Sequence, residues 1–180
     1  TALSPERMKA SANIRLEESK FANAKVDPAL VPDDRVRVEI VERVPKARTW
    51  SFRMQEPKLL MESDVFALKT IPRAYNEQGL IVDRPVPMLL HLVSNIEFEA
   101  AEYEFILRSL DASRLYIDGK LVAETGFKNL NGSAHGPYYE LPDLGPDLLS
   151  IAAAHQEQRI KVTLEAGRHI VSLYRLLGNK

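Results

Sequence analysis

The spacing of apolar residues settles into a period of two at Arg35. Val36, Val38 and Ile40 alternate with Arg35, Arg37 and Glu39, which predicts a strand with one charged face that Pro45 ends. Residues 88–93 (MLLHLV) form a continuous apolar run of strand length and predict a buried strand. Tyr103, Phe105 and Leu107 then alternate with Glu102, Glu104, Ile106 and Arg108. Residues 114–117 lead through Asp118-Gly119 into residues 120–123. An Asp-Gly pair between two β-rich runs predicts a tight hairpin, because that turn needs positive φ at both central residues. Near the C-terminus Ile160, Val162 and Leu164 alternate with Arg159, Lys161 and Thr163, and residues 169–177 follow a turn at 165–168. That pattern predicts a second hairpin.

The remaining segments read as connections. Ser4-Pro5-Glu6 supplies a cap, a first-turn proline and an acid at the positive end of a helix, predicting a short peripheral helix to about Lys20. Asp27-Pro28 and residues 31–34 (VPDD) then punctuate the chain as a linker. Residues 46–87 carry Pro57, Pro72, Pro85 and Pro87 and predict short strands with irregular joins. Residues 124–157 are a long connection rich in glycine and proline, with one or two helical turns predicted around 148–155. The fold class expected is all-β, an antiparallel β-sandwich or barrel over residues 35–180 with a short N-terminal helical appendage and linker over residues 1–34.

Composition mainly excludes. With 24 basic and 25 acidic residues the net charge is −1, which argues against a nucleic-acid partner. The absence of cysteine removes disulfides, thiolate metal sites and cysteine nucleophiles. No apolar run approaches the roughly 20 residues of a transmembrane segment. The sequence opens at Thr1 and stops soon after Leu177, so both ends read as cut from a longer polypeptide or trimmed by processing.

The sequence carries no familiar catalytic motif. The four histidines, His91, His135, His155 and His169, fall in no metal-binding spacing. His91 sits inside an apolar strand run and reads as a satisfied core or sheet-edge residue. There is no serine-hydrolase elbow and no phosphate-binding glycine loop. Glu97, Glu99, Glu102 and Glu104 change parity across Ala100-Ala101, and read as a solvated strand face broken by a turn. Asn131-Gly132-Ser133 matches a glycosylation acceptor and marks a loop. His135, beside Tyr138 and Tyr139, has the best binding context of the histidines.

Residues 103–122, YEFILRSLDASRLYIDGKLV, resemble the hallmark hairpin of the protective-antigen-type module first recognised in anthrax toxin. Tyr103, Phe105, Leu107, Ser109, Asp111, Ser113, Leu115, Tyr116, Ile117, Asp118, Gly119, Lys120 and Val122 carry the match. Leu164-Glu165-Ala166-Gly167-Arg168-His169, with Ile170 and Tyr174, is similar to the family's late L-x-A-G-x-H hairpin. The likeness spans about residues 88–177. It implies a β-sandwich in which Tyr103, Phe105 and Leu107 face the core and His169 has a packing or turn-stabilising role. It also implies a noncatalytic binding module of a larger exported bacterial protein, at an extracellular, cell-surface or periplasmic location.

In family members that are adhesins, a paired Asp-Asp holds calcium. Here that pair reads Leu110-Asp111 and the usual glycine is Ala112. Calcium on Asp111 is therefore what the resemblance offers as a metal, and no other cofactor is implied. The alternative for Asp111 is to cap its own turn. The partner implied is carbohydrate or a neighbouring protein domain. For a sugar site, Asp111 would join Asn131, His135, Tyr138 and Tyr139, the tyrosines as stacking platforms and the others as hydrogen-bonders. The competing reading is a structural or assembly module without a small-molecule ligand.

Overall fold

In the computed structural model, which describes residues 26–46, 48–50, 55–68, 70–127 and 155–178, the alternation after Arg35 becomes strand β1 (Val36–Val41). Val36, Val38 and Ile40 are buried on one face, while Arg37 and Glu39 lie on the other. Short strands β2 (Leu59–Ser63), β3 (Ala74–Tyr75) and β4 (Ile81–Val82) follow among the prolines. The apolar run extends to β5 (Met88–Phe98), whose first seven residues are all buried. β6 (Ala101–Ser109), β7 (Ser113–Ile117), β8 (Lys120–Thr125), β9 (Gln156–Leu164) and β10 (Gly167–Leu177) complete the set. The helix expected near residues 4–20 lies outside the described residues, which begin with a single helical turn at Pro28–Leu30 capped by Asp27.

Six strands form one sheet in the order β2-β1-β5-β10-β7-β8, β3 and β4 form a small hairpin, and β6 and β9 form a two-stranded layer. The pairings among the main strands are antiparallel. The architecture is an all-β sandwich. β5 reads as continuously apolar because both faces of the large sheet are covered. On one face Val38, Ile40, Leu90 and Leu92 pack with Phe66, Leu68 and Leu173. Farther along that face Leu115, Ala123 and Val171 meet Leu107, Phe105 and Ile160 from the β6–β9 layer. On the opposite face Val41, Leu89, Tyr116, Tyr174 and Leu176 pack with Val44, Trp50 and Phe127.

The Asp118-Gly119 turn forms as expected, with φ of 49° and 75° at its two residues, the left-handed pair that a two-residue hairpin requires. The second expected hairpin does not form. β9 and β10 follow one another in sequence but lie in different sheets, β9 pairing with β6 and β10 with β5 and β7. The β5–β10 ladder ends at Phe98 opposite Gly167, and the β6–β9 ladder begins at Ala101 opposite Leu164. One long two-stranded ribbon is thus folded over at a double corner. The fold lets Ile160 and Phe105 cover Val171 and Leu115 face to face, apolar burial that a flat hairpin would forgo. Gly167, at φ +136°, supplies a corner conformation that side chains disfavour. Glu97, Glu99, Glu102 and Glu104 flank the other corner, all exposed.

Candidate functional site

Three loops and strand ends converge at one end of the sandwich around Asp111, in the β6–β7 connection. The Asp111 carboxylate accepts from the Gly178 backbone N–H at 3.0 Å, closing the end of β10 rather than capping its own turn. Its carbonyl accepts from the Thr125 hydroxyl at 3.3 Å, at the end of β8. Beyond Thr125, Gly126 is gripped from both sides by the Gln156 amide. Gly126 N–H donates to Oε1 at 3.1 Å and the Gln156 Nε2 donates to the Gly126 carbonyl at 2.8 Å. Next to this grip, Phe127 packs edge-on against Trp50 at 5.5 Å, and the Arg114 guanidinium lies 5.1 Å from the Trp50 ring. The exit from β8 and the entry to β9 are therefore tied to each other and to the Asp111 loop. These are the two roots of the connection carrying Asn131, His135, Tyr138 and Tyr139, four residues that lie outside the described set.

Among the described residues no group of three or more His, Asp or Glu side chains is arranged to hold a metal ion. Asp111 also acts electrostatically on Arg175 of β10.

A second polar constellation crosses the large sheet, and sequence reasoning missed it. Register places Glu39, His91, Tyr174, Arg114 and Glu124 directly opposite one another across β1, β5, β10, β7 and β8. His91 Nδ1 lies 2.9 Å from Glu39 Oε2, and Nε2 lies 2.8 Å from the Ser172 hydroxyl. The His91 ring stacks flat on Tyr174 at 4.1 Å, and Tyr174 meets Tyr116 edge-on at 5.7 Å. Glu39 also pairs with Arg37 at 2.7 Å. The His91 bond and the Arg37 charge hold the Glu39 carboxyl below its usual range, against the opposing effect of burial. With Glu39 accepting at Nδ1 and the Ser172 O–H donating to Nε2, both ring nitrogens of a neutral imidazole are satisfied. Ser172 and His91 are buried, as the sequence context of His91 suggested. Alternation alone could have put Glu39 and His91 on faces of their strands, but only the register joins them.

Asp118 and His169 form a third cluster at the opposite corner. Asp118 Oδ1 accepts from the Ile170 N–H at 2.9 Å, and Oδ2 lies 2.6 Å from His169 Nδ1, while His169 Nε2 faces the Glu165 carbonyl at 3.0 Å. Both partners of the ring are acceptors, so both nitrogens donate only in the imidazolium form. The Asp118 bond raises the His169 pKa above its ordinary 6.5, assisted by the Glu165 carbonyl. A raised folded value makes this contribution complete below pH 6.5 and lost as pH rises through the folded pKa. Unfolding midpoints of the wild type are therefore expected to fall across the neutral-to-basic range more steeply than those of Asp118→Asn. Parallel profiles would refute the coupling.

No protein-family model matches the sequence, and no curated protein matches it. Among solved structures, the chain is similar to part of a β-glucosidase from Kluyveromyces marxianus in complex with glucose. There the TM-score is 0.48 and the identity 14%, over 88% of this chain and 16% of that one. It is also similar to part of a GH31 α-xylosidase from Xanthomonas citri, with a TM-score of 0.42 and 19% identity over 79% of this chain and 12% of the other. The chain thus spans about a sixth or less of the length of these proteins.

Proposed function

We propose that the chain is a noncatalytic binding module of a larger exported protein, and that it presents glycan-recognising groups at the Asp111 end of its sandwich. The observation that carries this reading is the clamp there. Gln156 on Gly126, Thr125 on Asp111 and Asp111 on Gly178 fix both roots of the 128–154 connection beside a carboxylate. A rigid scaffold holding the roots of a long loop is the usual way a β-sandwich carries a binding surface. That loop contributes two adjacent aromatic rings, Tyr138 and Tyr139, with Asn131 and His135 as polar partners, a composition suited to stacking on a sugar ring while bonding its hydroxyls. The resemblance to the protective-antigen-type family supports the same reading. The residues that carry the resemblance in the described part of the chain serve folding: Tyr116 and Leu115 in the core, Asp118 and His169 at the corner.

Calorimetric titration with a panel of oligosaccharides, with and without calcium, tests the proposal. Binding by the wild type and a loss of about tenfold or more in Tyr138→Ala or Tyr139→Ala is the expected result. A panel without any binder, or binding indifferent to both tyrosines, would overturn it.

One observation favours the assembly reading instead. The β3–β4 hairpin leaves Tyr75, Leu80 and Ile81 more than half exposed, an apolar surface of the kind that marks an interface. Light scattering that shows a dimer for the wild type and a monomer for Ile81→Asp, in a chain that binds no glycan, would establish that reading in place of the first.

A further inference from the structure

The space between the two sheets has features that packing alone does not require. It is a partly open recess of about 350 Å³, and among the described residues Phe66, Phe98, Phe105, Leu115 and Leu173 provide an apolar wall. That volume lies at the lower end of the range of small-molecule sites. Four consecutive β6 residues, Phe105–Arg108, line it. Successive side chains of a strand point to opposite faces, so a strand lines a space continuously only where its edge meets it. Among the described residues β6 has a neighbour on one side only, β9, and its other backbone edge borders the recess.

Two guanidinium groups enter this apolar space. Arg108 is held through its Nε, which donates to Glu157 at 2.7 Å, and Glu157 is also bound by Arg159 at 2.8 Å. Arg175 on β10 is different. Its Nε is buried and has no hydrogen-bond partner, and no ion pair engages it among the described residues. Burial pulls its pKa below the ordinary guanidinium range, with Asp111 opposing. The one lining hydroxyl near it, Ser113, is already given to Ser109 at 2.7 Å. A guanidinium keeps its charge in proteins, and its natural complement is a planar two-oxygen anion that its fork meets with two parallel bonds.

We propose that the inter-sheet cavity binds a small aliphatic carboxylate, its tail against Phe66, Phe105 and Leu173 and its carboxylate on Arg175. The site lies within the sandwich, not on the loop connection, so it stands or falls independently of glycan binding.

Octanoate, octylamine and 1-octanol, each titrated into the whole 180-residue chain, separate charge from apolar fit. Octanoate is expected to bind and to raise the unfolding midpoint, because a ligand selective for the folded state stabilises it. Octanol is expected to bind about tenfold or more weakly than octanoate, and octylammonium not at all. Arg175→Met is expected to weaken octanoate by about tenfold or more while leaving octanol unchanged. The variant should fold, since an apolar side chain of similar length replaces a partly buried charge, and Asp111, its electrostatic neighbour, keeps the Gly178 N–H. If it does not fold, amide and methyl shifts of the wild type serve in its place: octanoate must perturb Phe105, Leu115 and Leu173. Absence of octanoate binding, equal binding of the alcohol or the ammonium, unchanged octanoate affinity in a folded Arg175→Met, or perturbations confined to residues outside the cavity would each overturn the proposal.

Discussion

Tyr174→Ala is expected to cost about 3–5 kcal/mol and to lower the unfolding midpoint by roughly 6–20 °C in a chain of this length. Tyr174 is buried at the centre of the large sheet, flat against His91 and edge-on to Tyr116. Truncation removes an aromatic ring from a close-packed layer and exposes the His91 ring to a cavity. Tyr174→Phe keeps the ring and loses only the hydroxyl, which Ser172 bonds, so it is expected to cost about 0.5–1.5 kcal/mol. Burial pushes the Tyr174 hydroxyl up to about 12 from its ordinary 10.0. The unfolded chain therefore ionises first, and stability attributable to this residue is complete below pH 10 and lost as pH rises through about 12. Urea titrations of the two variants check the sizes. A loss under about 1 kcal/mol for the alanine variant would mean that Tyr174 is not a core residue.

Much of this layer was legible before any coordinates, because a half-buried strand writes its burial as a period of two and a fully buried one as an apolar run. Val36, Val38 and Ile40 on β1 and the 88–93 run on β5 announce their faces in this way. Asp118-Gly119 announces its turn because few other pairs accept two positive φ values. What periodicity does not encode is partnership. The alternation of β9 and β10 around Gly167 is the same whether the two strands lie side by side or fold over one another. Only the burial of Ile160 and Phe105 against Leu115 and Val171 decides for the folded ribbon.

The same limit explains what could be read of the candidate sites. Asp111 stood out through the motif around it, yet its carboxylate bonds Gly178, 67 positions away, a distance no local rule reaches. Arg175 lies within the 169–177 run, where no local feature singles it out. That it points an unpartnered guanidinium nitrogen into the sandwich depends on which face of β10 the β6–β9 layer covers. Glu39, His91 and Ser172 are 52 and 81 positions apart along the pairs they form. Each looked ordinary in its own strand, and antiparallel register makes them one network.

That network supports the other large effect. His91→Leu is expected to cost about 2–4 kcal/mol, because it removes the imidazole from the buried Ser172 hydroxyl, leaving that hydroxyl only its Tyr174 contact, and deprives Glu39 of a donor. Glu39 retains Arg37, so the penalty stays below that of an entirely orphaned buried carboxylate. Ser172→Ala removes the same His91–Ser172 bond from its other side, and the double variant is therefore expected to lose less than the two single losses together, by about 1 kcal/mol. Strict additivity in urea titrations would show that the three residues are neighbours without being coupled. Acid supplies a second measure of the same contacts. The Glu39 carboxyl is held below its ordinary 4.5 chiefly by the His91 bond, so its contribution is complete above pH 4.5 and is lost as pH falls through the lowered folded value. His91→Leu removes that bond, and the acid limb of its stability profile should flatten relative to the wild type, while Ser172→Ala, which leaves the Glu39–His91 contact intact, should keep it.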